Sequence, residues 1–191
     1  MKLVAGLGNP GARYLGTRHN VGFGVIDELA RRHGVGFDAA PAEALQAKWR
    51  RDADVVLLVK PLTFMNLSGQ AVSALSRYYK VALPDVLIVC DDINLPLGRL
   101  RLRANGSEGG HNGLRSVAIE LGSMDYARLR IGVGRGDLGR DLADHVLARF
   151  EPDEMPGIEA AVARAADAVE TWVVDGLAKA MNTFNRSDDN D

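Results

Sequence analysis

The sequence predicts a single α/β domain: a twisted, mixed but largely parallel β-sheet with helices on both faces. Apolar runs of strand length alternate with segments that are apolar at helical spacing, the rhythm of a sheet covered on two sides. At 191 residues, 47% apolar and 25% charged, the chain is long enough for one buried core. No internal repeat or linker interrupts it, so residues 1–186 read as one domain and Ser187–Asp191 as a disordered tail.

The elements follow in order. Lys2 to Gly8 reads as a buried strand, and Val21, Val25, Ile26, Leu29 and Ala30 recur at helical spacing until Gly34. Residues 44–51 suit an edge strand, whereas Asp54 to Lys60, with Val55-Val56-Leu57-Leu58-Val59 inside it, is a continuous apolar run typical of a central strand that Pro61 stops. Leu67, Ala71, Leu75 and Tyr78 or Tyr79 predict a helix between Thr63 and Lys80. A turn at Pro84 leads to a strand from Val86 to Cys90. Between Gly98 and Ala104, Arg99, Arg101 and Arg103 alternate with Leu100 and Leu102, giving one basic and one buried face. After a glycine-rich loop at 105–113 come a short helix at 114–121, a strand from Arg128 to Val133, and an amphipathic helix carrying Ile158, Val162, Ala165, Val169, Trp172 and Val173.

The lone Cys90 has no intrachain disulfide partner, and no Cys/His cluster has zinc spacing, so the expectation is a reducing compartment, the cytoplasm, without a structural metal. The apolar run after Lys2 is too short for a signal-peptide core, and nowhere do about 18 consecutive apolar residues occur, so neither export nor a membrane span is expected. Net charge is -2 but unevenly spread. Residues 151–191 carry 3 Lys/Arg against 10 Asp/Glu, leaving 20 against 15 before them, so the body is +5 and the tail -7. A basic face for a polyanion is compatible with that split, which the overall pI of 6.1 conceals.

Ligands of open α/β sheets bind beyond the carboxyl ends of the strands. Polar residues gather there: Asn9 after the first strand, Lys60-Pro61-Leu62-Thr63-Phe64-Met65-Asn66 after the second, Asp91-Asp92 after the third. If these strands are parallel, Asn9, Asn66 and Asp91 share a rim. His19 falls in the first turn of the first helix, with Thr17 a possible N-cap. A carboxylate beside such a histidine holds one N–H and frees the other ring nitrogen as a base, and Asp91 is the candidate partner. Gly6-x-Gly8-x-x-Gly11 also fits a dinucleotide fingerprint, but Pro10 and Gly11 delay the helix that would receive a pyrophosphate, and Asp27 and Glu28 fall inside a helix. The loop Asn105 to Gly113 is glycine-rich enough to close over a ligand with His111 and Asn112. Arg103, Arg130, Arg135 and Arg140 are candidate phosphate ligands. His33, His145, Trp49 and Trp172 read as structural.

The ordered set Gly-Leu-Gly-Asn-Pro-Gly (6–11), Tyr14, Thr-Arg-His-Asn (17–20), Thr-Phe-Met-Asn-Leu-Ser-Gly (63–69), Asp91 with Leu95-Pro96-x-Gly98, Gly-Gly-His-Asn-Gly-Leu (109–114) and Arg-Leu-Arg-Ile-Gly (128–132) closely resembles bacterial-type peptidyl-tRNA hydrolase across nearly the whole chain. The resemblance implies a carboxylic ester hydrolase that cuts an N-blocked peptide from the 3′ ribose of tRNA, recycling tRNA in translation. It implies no metal or organic cofactor, no membrane, and a monomer.

By position, the resemblance makes His19 the general base and Asp91 its partner, and Asn9 the residue that distinguishes an N-blocked peptide from a free aminoacyl group. Asn66 and Asn112 become substrate-binding amides, Tyr14 and Phe64 the lining of the tRNA 3′-end site, and Arg103 and Arg130 part of a basic tRNA face. Met65 and His111 are neighbours in the same crevice. An asparagine amide both donates and accepts, so it can hold a peptide backbone or orient water without titrating. Arg103 stands where relatives often carry lysine, and Cys90 and Asn94 where they often carry histidine and aspartate. Two rival readings are an RNA-binding module that has lost catalysis and a nucleotide-dependent oxidoreductase. The presence of His19, Asp91, Asn9, Asn66 and Asn112 disfavours the first, and the context of the glycine motif the second.

Overall fold

The computed structural model describes residues 1–136, 139 and 141–186; Arg140 and the expected tail Ser187–Asp191 lie outside them. Among the described residues seven strands form one sheet: β1 (Lys2–Gly6), β2 (Asp38–Ala39), β3 (Ala44–Arg51), β4 (Asp54–Pro61), β5 (Val86–Asp92), β6 (Leu100–Arg103) and β7 (Ala127–Gly132). The helices are α1 (Val21–Arg32), α2 (Ser68–Tyr78), α3 (Asn112–Leu121), α4 (Leu142–Leu147), α5 (Met155–Asp175) and α6 (Leu177–Phe184). The sheet runs β2-β3-β4-β1-β5-β7-β6. β4, β1, β5 and β7 are mutually parallel, and β2, β3 and β6 pair antiparallel at the flanks. The parallel centre therefore delivers the ends of β1, β4 and β5 to one rim.

The period-2 alternation of side chains sorts the centre of the sheet into two cores. Val4, Leu58, Leu87, Val89 and Leu129 meet Val25, Ile26 and Leu29 of α1, with Ala165, Val169 and Trp172 of α5 and Ala180 of α6, on one face. Leu3, Ala5, Leu57, Val59 and Ile88 meet Val72 and Leu75 of α2, with Leu114 and Val117 of α3, on the other. On β6, Leu100 and Leu102 are buried while Arg101 and Arg103 face outward, as their alternation requires.

Several boundaries differ from expectation, each for a local physical reason. β3 is not itself the edge, because Asp38 and Ala39 pair with Gln46 and Leu45 outside it. The helix expected from Thr63 begins only at Ser68; residues Met65–Leu67 make a 3-10 turn, and the Met65 N–H is taken by the Asn9 side chain 2.7 Å away. α3 starts at Asn112, two residues early, because the His111 ring accepts from the Gly113 and Leu114 N–H groups and so caps it. The expected C-terminal helix is α5, and a further helix that the sequence did not predict, α6, follows it after Gly176, whose φ of 90° separates the two. α4, six residues capped by Asp141, was not foreseen at all.

Candidate active site

The site is built where β1 and β5 end. α1 crosses these strands at very close range: a Cβ on Gly22 would lie 2.5 Å from the Val89 carbonyl oxygen, and one on Gly6 would lie 2.2 Å from the Gly22 oxygen. The first and second glycines of the motif thus serve helix-on-strand packing, since a Cβ on Gly8 would lie 2.8 Å from the Phe23 ring of α1. That close approach brings the 3-10 turn Arg18–Asn20, which leads into α1, down onto the end of β5. Thr17 stands at the N-cap of this 3-10 turn, which carries His19, and not of α1, whose N-cap is Asn20; its hydroxyl donates to the Tyr14 carbonyl and caps neither.

Asp91 is 1% exposed, and its Oδ1 lies 2.8 Å from Nδ1 of His19 and 2.8 Å from Nε2 of His111. Burial pulls the Asp91 carboxyl upward, but the two imidazoles that face it, His111 more than His19, outweigh that and hold the group below the usual carboxylate range. Asp91 is therefore an ionised acceptor. The His111 ring is fixed from its other side: Nδ1 accepts from the N–H groups of Gly113 at 3.1 Å and Leu114 at 3.3 Å, so the proton sits on Nε2 and is donated to Asp91. His19 donates through Nδ1 to the same oxygen, which leaves its Nε2 with a free lone pair.

His19, Asp91 and His111 are also a trio whose ligand atoms lie within 4.8 Å of one another, the spacing of a metal site. The donor chemistry does not fit. A metal on His111 Nε2 would require the proton on Nδ1, where it would face two backbone N–H donors.

His19, Asp91, His111, Asn112 and Arg130 share the wall of one crevice of about 390 Å³, completed by Arg135 and by Leu142, Ala143 and Val146 of α4. Asn9 opens onto a separate pocket of about 190 Å³ with Pro10 and Leu62, which shares no lining residue with that crevice. Its side chain is buried against the Met65 N–H, and its backbone N–H and carbonyl are both bonded by the Asn20 side chain, at 2.8 and 2.9 Å. Met65 is itself buried, tight beneath Gly113. Asn66 is exposed on the Met65–Leu67 turn, which packs against α3. Tyr14 is half-buried beneath Arg13, and Phe64 is 56% exposed; both stand outside the crevice wall. Arg103 also stands apart: it lies exposed on the flanking strand β6, in register with Arg128.

The loop at 105–113 is tied down more firmly than its glycines suggest. Arg128, buried at 1%, donates to the Gly106 carbonyl at 2.5 Å, and Arg130 donates to the Ser107 carbonyl at 2.7 Å while lying 3.6 Å from Asp92. Arg135 donates to the side chain of Asn94, whose own backbone N–H bonds Asp92 at 2.7 Å. Cys90 faces the α2–α3 core, where burial pushes its thiol up, away from reactivity. His33 and His145 stand apart from the crevice wall: His33 lies 3.0 Å from Glu170 and stacks on Trp49 at 3.7 Å, and His145 Nε2 lies 2.9 Å from the Gly134 carbonyl. Asn20 and Arg18 were missed as site residues. Their motif was legible, but their partners lie 11 and more than 125 residues away.

A family model described as Peptidyl-tRNA hydrolase matches residues 3–191. The chain belongs to the peptidyl-tRNA hydrolase family. It is 49% identical over 186 residues to the peptidyl-tRNA hydrolase of Symbiobacterium thermophilum, covering 96% of this chain and 98% of that one. It is 49% identical over 185 residues to that of Geobacillus kaustophilus, covering 97% and 100%. Its fold superimposes on a crystal structure of a peptidyl-tRNA hydrolase complexed with N-propanol at a TM-score of 0.92 and 33% identity, covering 100% of this chain and 97% of that one. The enzyme from Acinetobacter baumannii matches at 0.89 and 35%, covering 97% and 94%. Among the described residues no helix is long and apolar enough to cross a membrane.

Proposed function

We propose that this family member hydrolyses the ester between a nascent, N-blocked peptide and the 3′ ribose of tRNA, with His19 as general base. The observation that carries the reading is the shared acceptor Asp91 Oδ1, bonded by both imidazoles, with the His19 Nε2 lone pair left on a ring that lines the crevice. Nε2 removes a proton from water as the water oxygen attacks the ester carbonyl. The imidazolium that forms is stabilised by the buried Asp91 carboxylate, and its proton then goes to the departing 3′ oxygen. The products are a peptide carboxylate and free tRNA.

The remaining residues supply positioning. Asn9, clamped by Asn20 and Met65, meets the blocked amino end of the peptidyl residue; Asn66 and Asn112 bond its backbone and carbonyl. Arg130 and Arg135 on the crevice wall attract the phosphates nearest the ester, Tyr14 and Phe64 take the unstacked 3′ end, and Arg103 on β6 adds charge farther out. Action as a monomer in the cytoplasm belongs to the same proposal, the compartment supported by the lone, buried Cys90.

The test is a substrate pair. Purified protein is expected to release N-acetyl-amino acid from N-acetyl-aminoacyl-tRNA, to spare the unblocked aminoacyl-tRNA, and to do so undiminished by a chelator. Equal cleavage of both substrates would remove Asn9 from its role, and loss of activity with chelator would contradict the metal-free chemistry.

A further inference from the structure

Arg18 immediately precedes the proposed base, yet its side chain points away from the crevice chemistry and is 2% exposed. One terminal nitrogen, NH2, lies 2.7 Å from Glu154 Oε2; the other, NH1, donates to the Arg149 carbonyl at 2.8 Å and approaches the His145 carbonyl at 3.4 Å. The Arg18 backbone N–H bonds the Ala148 carbonyl at 3.0 Å, Thr17 bridges Arg149, and the guanidinium lies 5.4 Å from the Phe150 ring. Glu154 Oε2 in turn accepts from the Glu151 N–H at 2.7 Å. All these partners belong to the C-terminal end of α4 or to the connector between α4 and α5.

α4 supplies Leu142, Ala143 and Val146 to the wall of the crevice that His19 also lines. We infer that Arg18 and Glu154 are a positioning clamp that fixes the α4 wall relative to the base, and so sets the width of the crevice in which water and ester must meet. The inference rests on the hydrolase reading proposed above. Burying an ion pair costs desolvation energy that an apolar pair would not, and here the Arg18 Nε hydrogen is buried without a partner. What the guanidinium supplies that a compact cation cannot is a planar fork, reaching a carboxylate and two carbonyls at once.

The test is steady-state cleavage of N-acetyl-aminoacyl-tRNA by the wild type, Arg18→Lys, Glu154→Gln, the double variant, and Val169→Ala as a core variant that lowers the thermal midpoint far from the crevice. The clamp predicts that kcat falls about tenfold or more in either single variant. The double variant should be no slower than the slower single, because both remove one shared interaction. Val169→Ala should lose thermal stability while keeping its kcat. Unchanged kcat in folded single variants, multiplying effects in the double, or a loss that merely follows the thermal midpoint as in Val169→Ala would overturn the clamp. Should Arg18→Lys fail to fold, Glu154→Gln, which keeps the shape and one acceptor oxygen, carries the same test. An inert wild type would count against the hydrolase reading and this inference together, whereas an active wild type with unaffected variants counts against the clamp alone.

Discussion

One carboxylate oxygen receives two imidazole N–H bonds at the end of β5, and the two rings differ in what holds their far sides. His111 is locked by backbone donors, so it serves to orient Asp91; His19 has no such lock and keeps a basic nitrogen. Asp91→Asn replaces an acceptor-only group with an amide that can present its NH₂ to His19, favouring the wrong tautomer. Cleavage should fall by about a hundredfold or more, read in a single-turnover assay. The same substitution bears on acid stability. The folded carboxyl titrates below its ordinary value of about 3.9, so its contribution is present above that value and is lost as pH falls below it. Urea midpoints of the wild type should therefore drop more steeply below about pH 4 than those of Asp91→Asn; parallel curves would sink the assignment. His19 and Asp91 were legible because polar residues at strand ends of an α/β sheet converge. Asn20 and Arg18 were not, since what they bind becomes adjacent only after the chain has folded.

At the scale of elements, short apolar runs between turn signals located the five longer strands, the Arg/Leu alternation located β6, and the segments between the runs were read as four of the helices. Starts and stops were set by tertiary partners that no local pattern shows. Asn9 intercepts the Met65 N–H and delays α2, and His111 caps α3 with a ring nitrogen in place of the usual hydroxyl or carboxylate. β2 and α4 are too short to show a period, although Asp141 before Leu142 is an N-cap signal that marks where α4 begins. The junction of α1 with β1 and β5 is the element contact on which the site depends. Gly22→Ala would drive a Cβ against the Val89 and Leu7 backbone, which cannot rotate away. The expected cost is about 1–3 kcal/mol. A urea melt should show it, accompanied by loss of activity because His19 rides on the same turn; a variant as stable and active as wild type would contradict the packing role given to the glycine pair.

Across the whole molecule, binding and chemistry are distributed differently. The excess of acidic residues after residue 150 is partly spent within the protein: Glu154 pairs with Arg18, and Asp167 and Glu170 pair with Arg32, so the acidic C-terminal helices are bound to the body by its own arginines. Arg130 and Arg135 remain on the crevice wall and Arg101 and Arg103 on the outer face of β6, a spread of charge from which removal of any one group should weaken tRNA binding only in part. In the mechanism proposed above, proton transfer, in contrast, is concentrated on one ring nitrogen. The most direct measurement is therefore single-turnover cleavage of N-acetyl-aminoacyl-tRNA by His19→Asn, beside its binding of uncharged tRNA. The account predicts a rate at least about a hundredfold below wild type with tRNA binding retained; full turnover by that variant would remove His19 as the base.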